Sequence, residues 1–248
     1  MKFNDIFGYK PVIGMIHLSG PRNVKVVRAL EELTIYQDEG VDGAIVEDYH
    51  GSKEDVLRVL EKIPGLNLKI VIGINILRDP YFTFEIAHDH NAKFIQLDSV
   101  QKIDLEERGL NKYEDLRKKY PNICVLGGIG FKYTRSTGNP LIVDLEDGKS
   151  RCDAIVTSGE GTGIETPIEK LMEYKRLLDD FTLIAGSGVK INNVYEQLNV
   201  ADGIIVGSFF KPDEETREKV SRKNVRNFMS PVKQIRENKI WNIFNVIN

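Results

Sequence analysis

Nine polar side chains and two glycine–serine turns carry the chemistry open to this chain. His17 has an imidazole that can move a proton near neutral pH. Glu47 and Asp98 are carboxylates, and either becomes a general base if partial burial raises its pKa. Lys132 can stabilise negative charge as it develops. Asp48, Asn75, Gln96, Ser158 and Thr162 are hydrogen-bonding groups of the kind that orient a substrate. The two turns are Gly186-Ser187-Gly188 and Gly207-Ser208, each at the end of a short apolar run. Consecutive parallel strands that end this way can aim backbone N–H groups at one phosphate, and glycine lets the backbone approach closely. Plainer uses stand beside each of these. The glycines could make tight strand-to-helix turns, His17 could be a hydrogen-bonded core imidazole, Glu47 or Asp48 could cap a helix or pair with Lys132, and Asn75 could hold a loop.

These groups need a frame that gathers them. Apolar runs recur at 12–18, 43–49, 69–77, 94–100, 123–129, 152–158, 181–186 and 202–207. Helix-like segments separate most of them, at 21–39, 53–63, 80–90, 104–119, 167–179 and 191–198, with a last helix within 215–236. Residues 131–150 are less regular, with a short helix expected near 140–146. Runs rich in Val, Ile and Leu without strict alternation fit parallel strands covered by helices. Eight such strands alternating with helices predict a closed (β/α)₈ TIM barrel; an open doubly wound sheet is the alternative. In a barrel the site forms where the strands end. His17, Glu47, Asn75 and Asp98 all fall at strand ends, Lys132 just past the fifth, and Ser158 and Thr162 at and past the sixth. Alternation puts Gln96 and Asp98 on one face of their strand and Ile95 and Leu97 on the other, so the polar pair is expected inside.

The 248 residues suit one barrel domain, with its core at about 10–229 and a helical tail at 230–248. A net charge of -3 leaves no basic field to attract nucleic acid. No run reaches the ~20 apolar residues of a membrane span, and the start lacks a signal-peptide layout. Cys124 and Cys152 lack metal-ligand spacing and sit in apolar runs, so buried free thiols in a cytoplasmic protein are expected, with neither metal nor cofactor. The tail carries Ile235, Ile240, Trp241, Ile243, Phe244, Val246 and Ile247 after Pro231. That much apolar surface predicts packing at a subunit interface in a homo-oligomer.

Several motifs together resemble the BtpA/SgcQ family. They are Gly14-Met-Ile-His-Leu18, Gly40-Val-Asp-Gly43 with Glu47-Asp48, Gly73-Ile-Asn-Ile-Leu-Arg78, Thr157-Ser-Gly-Glu-Gly-Thr-Gly163, Gly186-Ser-Gly-Val189 with Asn193, and Ala201-Asp-Gly-Ile-Ile-Val-Gly-Ser208 with Lys211. The resemblance implies a TIM-type barrel of the ribulose-phosphate-binding group. It implies either a factor in photosystem assembly or a nucleosidase-like enzyme. This chain departs from the family at the chemical end. Glu47-Asp48 replaces Glu-Asn, Gln96 and Asp98 replace Arg and Asn, Gly127-Gly128 stands where the fifth strand tends to carry Asp, and Tyr133 replaces His after Lys132. The phosphate end is kept. The expected function is therefore an enzyme acting on a phosphorylated sugar or nucleoside-like molecule, by isomerisation or by cleavage of a glycosidic bond. The alternative is a non-catalytic assembly factor. The related isomerase of tryptophan synthesis uses a cysteine in strand one, where this chain has Met15 and His17.

Overall fold

The structure, a computed structural model, describes the backbone of residues 1–246 and the side-chain surroundings of residues 1–237. Eight parallel strands close on themselves in sequence order, with the first pairing with the eighth. They are β1 (Val12–Ile16), β2 (Gly43–Glu47), β3 (Val71–Asn75), β4 (Phe94–Leu97), β5 (Cys124–Gly128), β6 (Ala154–Thr157), β7 (Leu183–Ala185) and β8 (Gly203–Val206). The helices are α1 (Phe3–Ile6), α2 (Arg22–Glu39), α3 (Lys53–Lys62), α4 (Phe82–Asp89), α5 (Lys102–Arg108), α6 (Leu110–Lys119), α7 (Leu141–Lys149), α8 (Ile168–Leu178), α9 (Val194–Val200) and α10 (Arg222–Val246). Ser52 caps α3 through a reciprocal bond with Asp55. Among the described residues no helix is long and apolar enough to cross a membrane.

Two separate apolar cores result. Inside the barrel, Ile13, Met15, Ile45, Phe94, Cys124, Leu126, Val156, Ile184 and Ile205 pack together. Outside, Ile95, Leu97 and their counterparts on other strands meet the helices. Strand four thus divides as its alternation predicts. The interior is apolar at the bottom and polar at the top, where Glu47 and Asn75 end their strands and Gln96 lies one residue before the end of β4. The bottom is closed by α1, which the apolar pattern did not announce. Phe7 lies 4.9 Å from Phe3 and meets Phe94 edge-on at 5.4 Å between ring centroids. The Phe94 ring fills the space a Cβ on Gly73 would need.

Two expected segments differ. The helix expected over 104–119 is two helices, because Gly109 takes φ of 93° between α5 and α6. Pro231 opens no separate segment; it lies within α10. Val225, Phe228, Met229 and Val232 bury one continuous stripe of α10, and Arg236 pairs with Asp42 at 2.6 Å, so barrel contacts carry the helix through the proline. Ile235 packs against the outer core. The side chains of Ile240, Trp241, Ile243, Phe244 and Val246, and all of Ile247, lie outside the described residues, and with them the expected subunit contact.

Strand five has a steric reason for its glycines. The chain after β4 crosses the end of β5, where the Val100 N–H donates to the Gly128 carbonyl at 3.0 Å. A Cβ on Gly128 would collide with the Asp98 carbonyl oxygen and lie 2.6 Å from its carbon. Gly128→Ala is therefore expected to cost about 1–3 kcal/mol or more by overpacking. Urea unfolding measures it, and a loss below about 0.5 kcal/mol would show that the crossing gives way freely.

Candidate active site

The C-terminal ends of the strands gather most of the expected groups around one cavity. The β2–β3 register sets Glu47 beside Asn75. The Asn75 amide donates from Nδ2 to Glu47 Oε1 at 2.8 Å and to Asp98 Oδ1 at 3.0 Å. Gln96 Nε2 donates to the same Asp98 oxygen at 3.0 Å. One amide therefore ties two carboxylates together. Burial pushes the Glu47 carboxyl up to about 8, and the charge of Asp98 adds to the effect; Lys132 and the Asn75 bond oppose it. Glu47 holds its proton at pH 7. Gln96 Oε1 is buried with no hydrogen-bond partner among the described residues. Since the carboxylate of Asp98 only accepts, it fixes the amide's orientation, and the unpartnered atom is an acceptor.

His17 stands across from Glu47, with Nε2 4.0 Å from Oε2. The contact is not an ion pair. Burial, then the charges of Lys211 and Lys132, hold the imidazole well below its usual range, so a neutral His faces a protonated Glu. Gly207 makes room for the ring, since a Cβ there would lie 2.9 Å from His17 Cε1. Behind the ring, Lys211 Nζ reaches His17 Nδ1 at 2.7 Å and donates to the Thr216 carbonyl at 2.8 Å. Lys211 is only 1% exposed, and burial pushes its ammonium down to about 8. Sequence reasoning did not place Lys211 in the site. A lysine past strand eight reads as surface, and the signals for it were its place just after the Ala201–Ser208 motif and its position between Phe209-Phe210 and Pro212.

Lys132 lines the same cavity as Asp98, His17 and Glu47. Its Nζ lies 4.9 Å over the Phe131 ring, and its backbone N–H donates to Ser158 Oγ at 2.7 Å. Thr162 joins three loops at the mouth. Its hydroxyl meets Tyr49 Oη at 3.2 Å, and its N–H donates to Tyr133 Oη at 3.2 Å. Neither tyrosine was among the expected site residues, although each directly neighbours one.

Three expected groups are engaged in holding loops. Asp48 does not line the cavity; it accepts the Leu77 N–H at 2.8 Å. It leaves the strand on the opposite face from Glu47, as alternation requires. Ser158 Oγ lies between the Lys132 N–H and the Gly159 carbonyl, the latter at 2.9 Å. The Ser187 hydroxyl accepts the Gly159 N–H at 2.9 Å and donates to the Ile164 carbonyl at 2.7 Å. Asn75 likewise acts from behind the lining, as a strut between the carboxylates. Gly188 has a use beyond any ligand, because at φ of 64° a Cβ would collide with the backbone N of Glu165.

The β7 and β8 ends contribute their glycine–serine turns to the cavity. Gly186, Ser187, Gly188, Gly207 and Ser208 all line it. The N–H groups of Ser187, Gly188, Gly207 and Ser208 donate to no protein acceptor among the described residues. Backbone amides without a protein partner beside one cavity are available to an anion. Ser187→Ala would leave the Gly159 N–H and Ile164 carbonyl without their shared partner. We expect a loss of about 1–3 kcal/mol by urea unfolding, and an unchanged midpoint would show that the two groups find other partners. Among the described residues no group of three or more His, Cys, Asp or Glu is arranged to hold a metal ion.

The profile of the BtpA family matches residues 8–234. The chain belongs to the BtpA family. An uncharacterised protein of Pyrococcus abyssi is 29% identical over 256 residues, covering 92% of this chain and 98% of that one. The photosystem I biogenesis protein BtpA of Synechocystis is 27% identical over 256 residues, covering 92% and 89%. Among solved structures, N-(5'-phosphoribosyl)anthranilate isomerase from Pyrococcus furiosus superposes with a TM-score of 0.60 at 19% identity, covering 91% of this chain and all of that one. At that identity the likeness shows the barrel fold. The BtpA match spans every strand of the barrel from β1 to β8.

Proposed function

We propose that this BtpA-family barrel is an acid–base enzyme acting on a phosphorylated sugar or nucleoside-like small molecule, with isomerase or nucleosidase/lyase chemistry. The observation that carries the reading is the pair of carboxylates tied through Asn75, one protonated, in a cavity that also holds Lys132 and free backbone amides. A buried polar array of this kind costs stability and is worth keeping only if a ligand uses it. The amides of Ser187, Gly188, Gly207 and Ser208 bind the phosphate. Asp98 takes a proton as general base, Glu47 supplies one as acid, and Lys132 meets negative charge as it forms. Gln96 Oε1 accepts from a hydroxyl or N–H of the substrate.

A screen of phosphorylated metabolites by thermal shift tests this. A ligand at 100 times its Kd adds about 2.7 kcal/mol of stability. Hits are then followed by NMR for conversion. If no phosphorylated compound stabilises the protein, the phosphate reading fails. A second reading, a non-catalytic biogenesis factor, is favoured by the similarity to the Synechocystis protein of that name. Binding without turnover of any hit would support it.

A further inference from the structure

The 4.0 Å between His17 Nε2 and Glu47 Oε2 has a chemical use once each hydrogen is placed. Lys211 Nζ sits 2.7 Å from His17 Nδ1 and can only donate there while it is an ammonium. Nδ1 is then the acceptor, and the imidazole hydrogen is on Nε2, facing the cavity. Glu47 divides in the same way. Oε1 accepts the Asn75 amide at 2.8 Å, which leaves the carboxyl hydrogen to Oε2. Two donors therefore face each other without bonding to each other. If each sat about 2.8 Å from one shared oxygen, their 4.0 Å separation would subtend roughly 90° at it, an ordinary angle for two hydrogen bonds to one oxygen.

We propose that His17 and Glu47 form an oxyanion site, each donating to one substrate oxygen, and that Lys211 and Asn75 are positioning residues that fix which atom of each donor bears the hydrogen. The inference rests on the acid–base reading above and narrows its substrate to a phosphorylated α-hydroxy carbonyl compound. Asp98 removes the proton from the carbon beside the carbonyl. The C–H pair becomes the new C=C bond, and the carbonyl π pair moves onto oxygen. That oxygen's charge meets the His17 N–H and the Glu47 O–H, with the Lys132 cation lining the same cavity. Glu47 then gives its proton to this oxygen and takes the one on the neighbouring hydroxyl. Asp98 returns its proton to the former carbonyl carbon, which completes an isomerisation without loss or gain of atoms. Two neutral donors suit this task. They strengthen as charge develops, and neither carries a positive charge that would bind the ground state as tightly.

The test reads the free protein. In the full chain labelled with ¹⁵N-histidine, long-range ¹H–¹⁵N correlation reports the tautomer of each of the four histidines, and H17Q assigns the one at issue. At pH 7 His17 is expected with Nδ1 bare and Nε2 protonated, and without titration near pH 6.5, the unperturbed value. The charged and titratable groups around it are Lys211, Lys132, His50, Arg28 and Glu47. K211M is expected to mix the tautomers and bring His17 into titration; the Arg variant K211R, which keeps a donor, is expected to hold the tautomer. In the infrared, a protonated carboxyl band is expected at pH 7 and lost in E47Q. Protonation of Nδ1 in the native chain, ordinary titration of His17, or absence of the band would overturn the inference, whether or not K211M folds. None of these readings needs a substrate, so a metabolite screen without hits is a separate failure.

Discussion

Asp98→Asn is expected to lower kcat by about 10²–10⁴-fold on the phosphorylated substrate, with KM little changed. The variant keeps the frame. An asparagine Oδ1 still accepts the Asn75 and Gln96 amides that Asp98 now accepts at 3.0 Å each. What it loses is the ability to take a proton. The size of the loss follows from the role, because a positioned general base contributes that much and a merely structural carboxylate does not. Steady-state kinetics on the screened substrate measures it. A kinetically normal Asp98→Asn would transfer the base role to Glu47 and with it reverse the direction of proton flow proposed here.

Glu47→Gln is expected to stabilise the protein while impairing it. The folded state raises the Glu47 pKa from 4.5 to about 8, so it binds the proton more tightly than the unfolded chain does. Stability from this group is complete below the unfolded value and is lost as pH rises through the folded one. At 1.36 kcal/mol per unit, the cost is of order 3 kcal/mol at pH 7 and about 5 kcal/mol above pH 8. A glutamine still accepts from Asn75 and never ionises, so it escapes that cost. For a chain of this length the gain at pH 7 corresponds to roughly 6–12 °C in Tm. Lys211 runs the other way, since its ammonium is depressed from 10.5 to about 8. Its cost is present below pH 8 and is relieved as pH climbs towards the unfolded value. Together the two groups weigh most heavily near pH 8. Thermal melts of the wild type and of E47Q from pH 4 to 9 check the first half. Parallel curves for the two proteins would show that Glu47 ionises normally.

The barrel was legible because its signals are local and repeated. Apolar runs of strand length, a capping serine at 52 and glycine stops recur around the chain. Alternation alone placed Gln96 inside and Ile95 outside, since that depends only on the period of a strand. The site was less legible because its logic lies in pairings across strands. Nothing local in the sequence says that Asn75 bridges Glu47 and Asp98, or that Ser187 spends its hydroxyl on Gly159 and Ile164. Lys211 was hidden for a related reason. Its partner His17 lies 194 residues away, and only closure of β8 onto β1 brings the two together. The α1 plug was hidden because a helix of four residues has too few turns to show a period.

The crossing of strand four over strand five constrains how this site could have changed over generations. Because the Asp98 carbonyl occupies the space above Gly128, a side chain gained at 128 is expected to push on the segment that carries the carboxylate at 98. Acids at the two positions are expected to disfavour one another. A side chain at 128 is expected to be tolerated where the segment at 98–100 has shifted. Substitutions at the two positions are expected to be coupled rather than additive. Changes of substrate in this barrel are therefore expected to come more readily from the loops bearing Tyr49, Tyr133 and Thr162, which can vary one residue at a time.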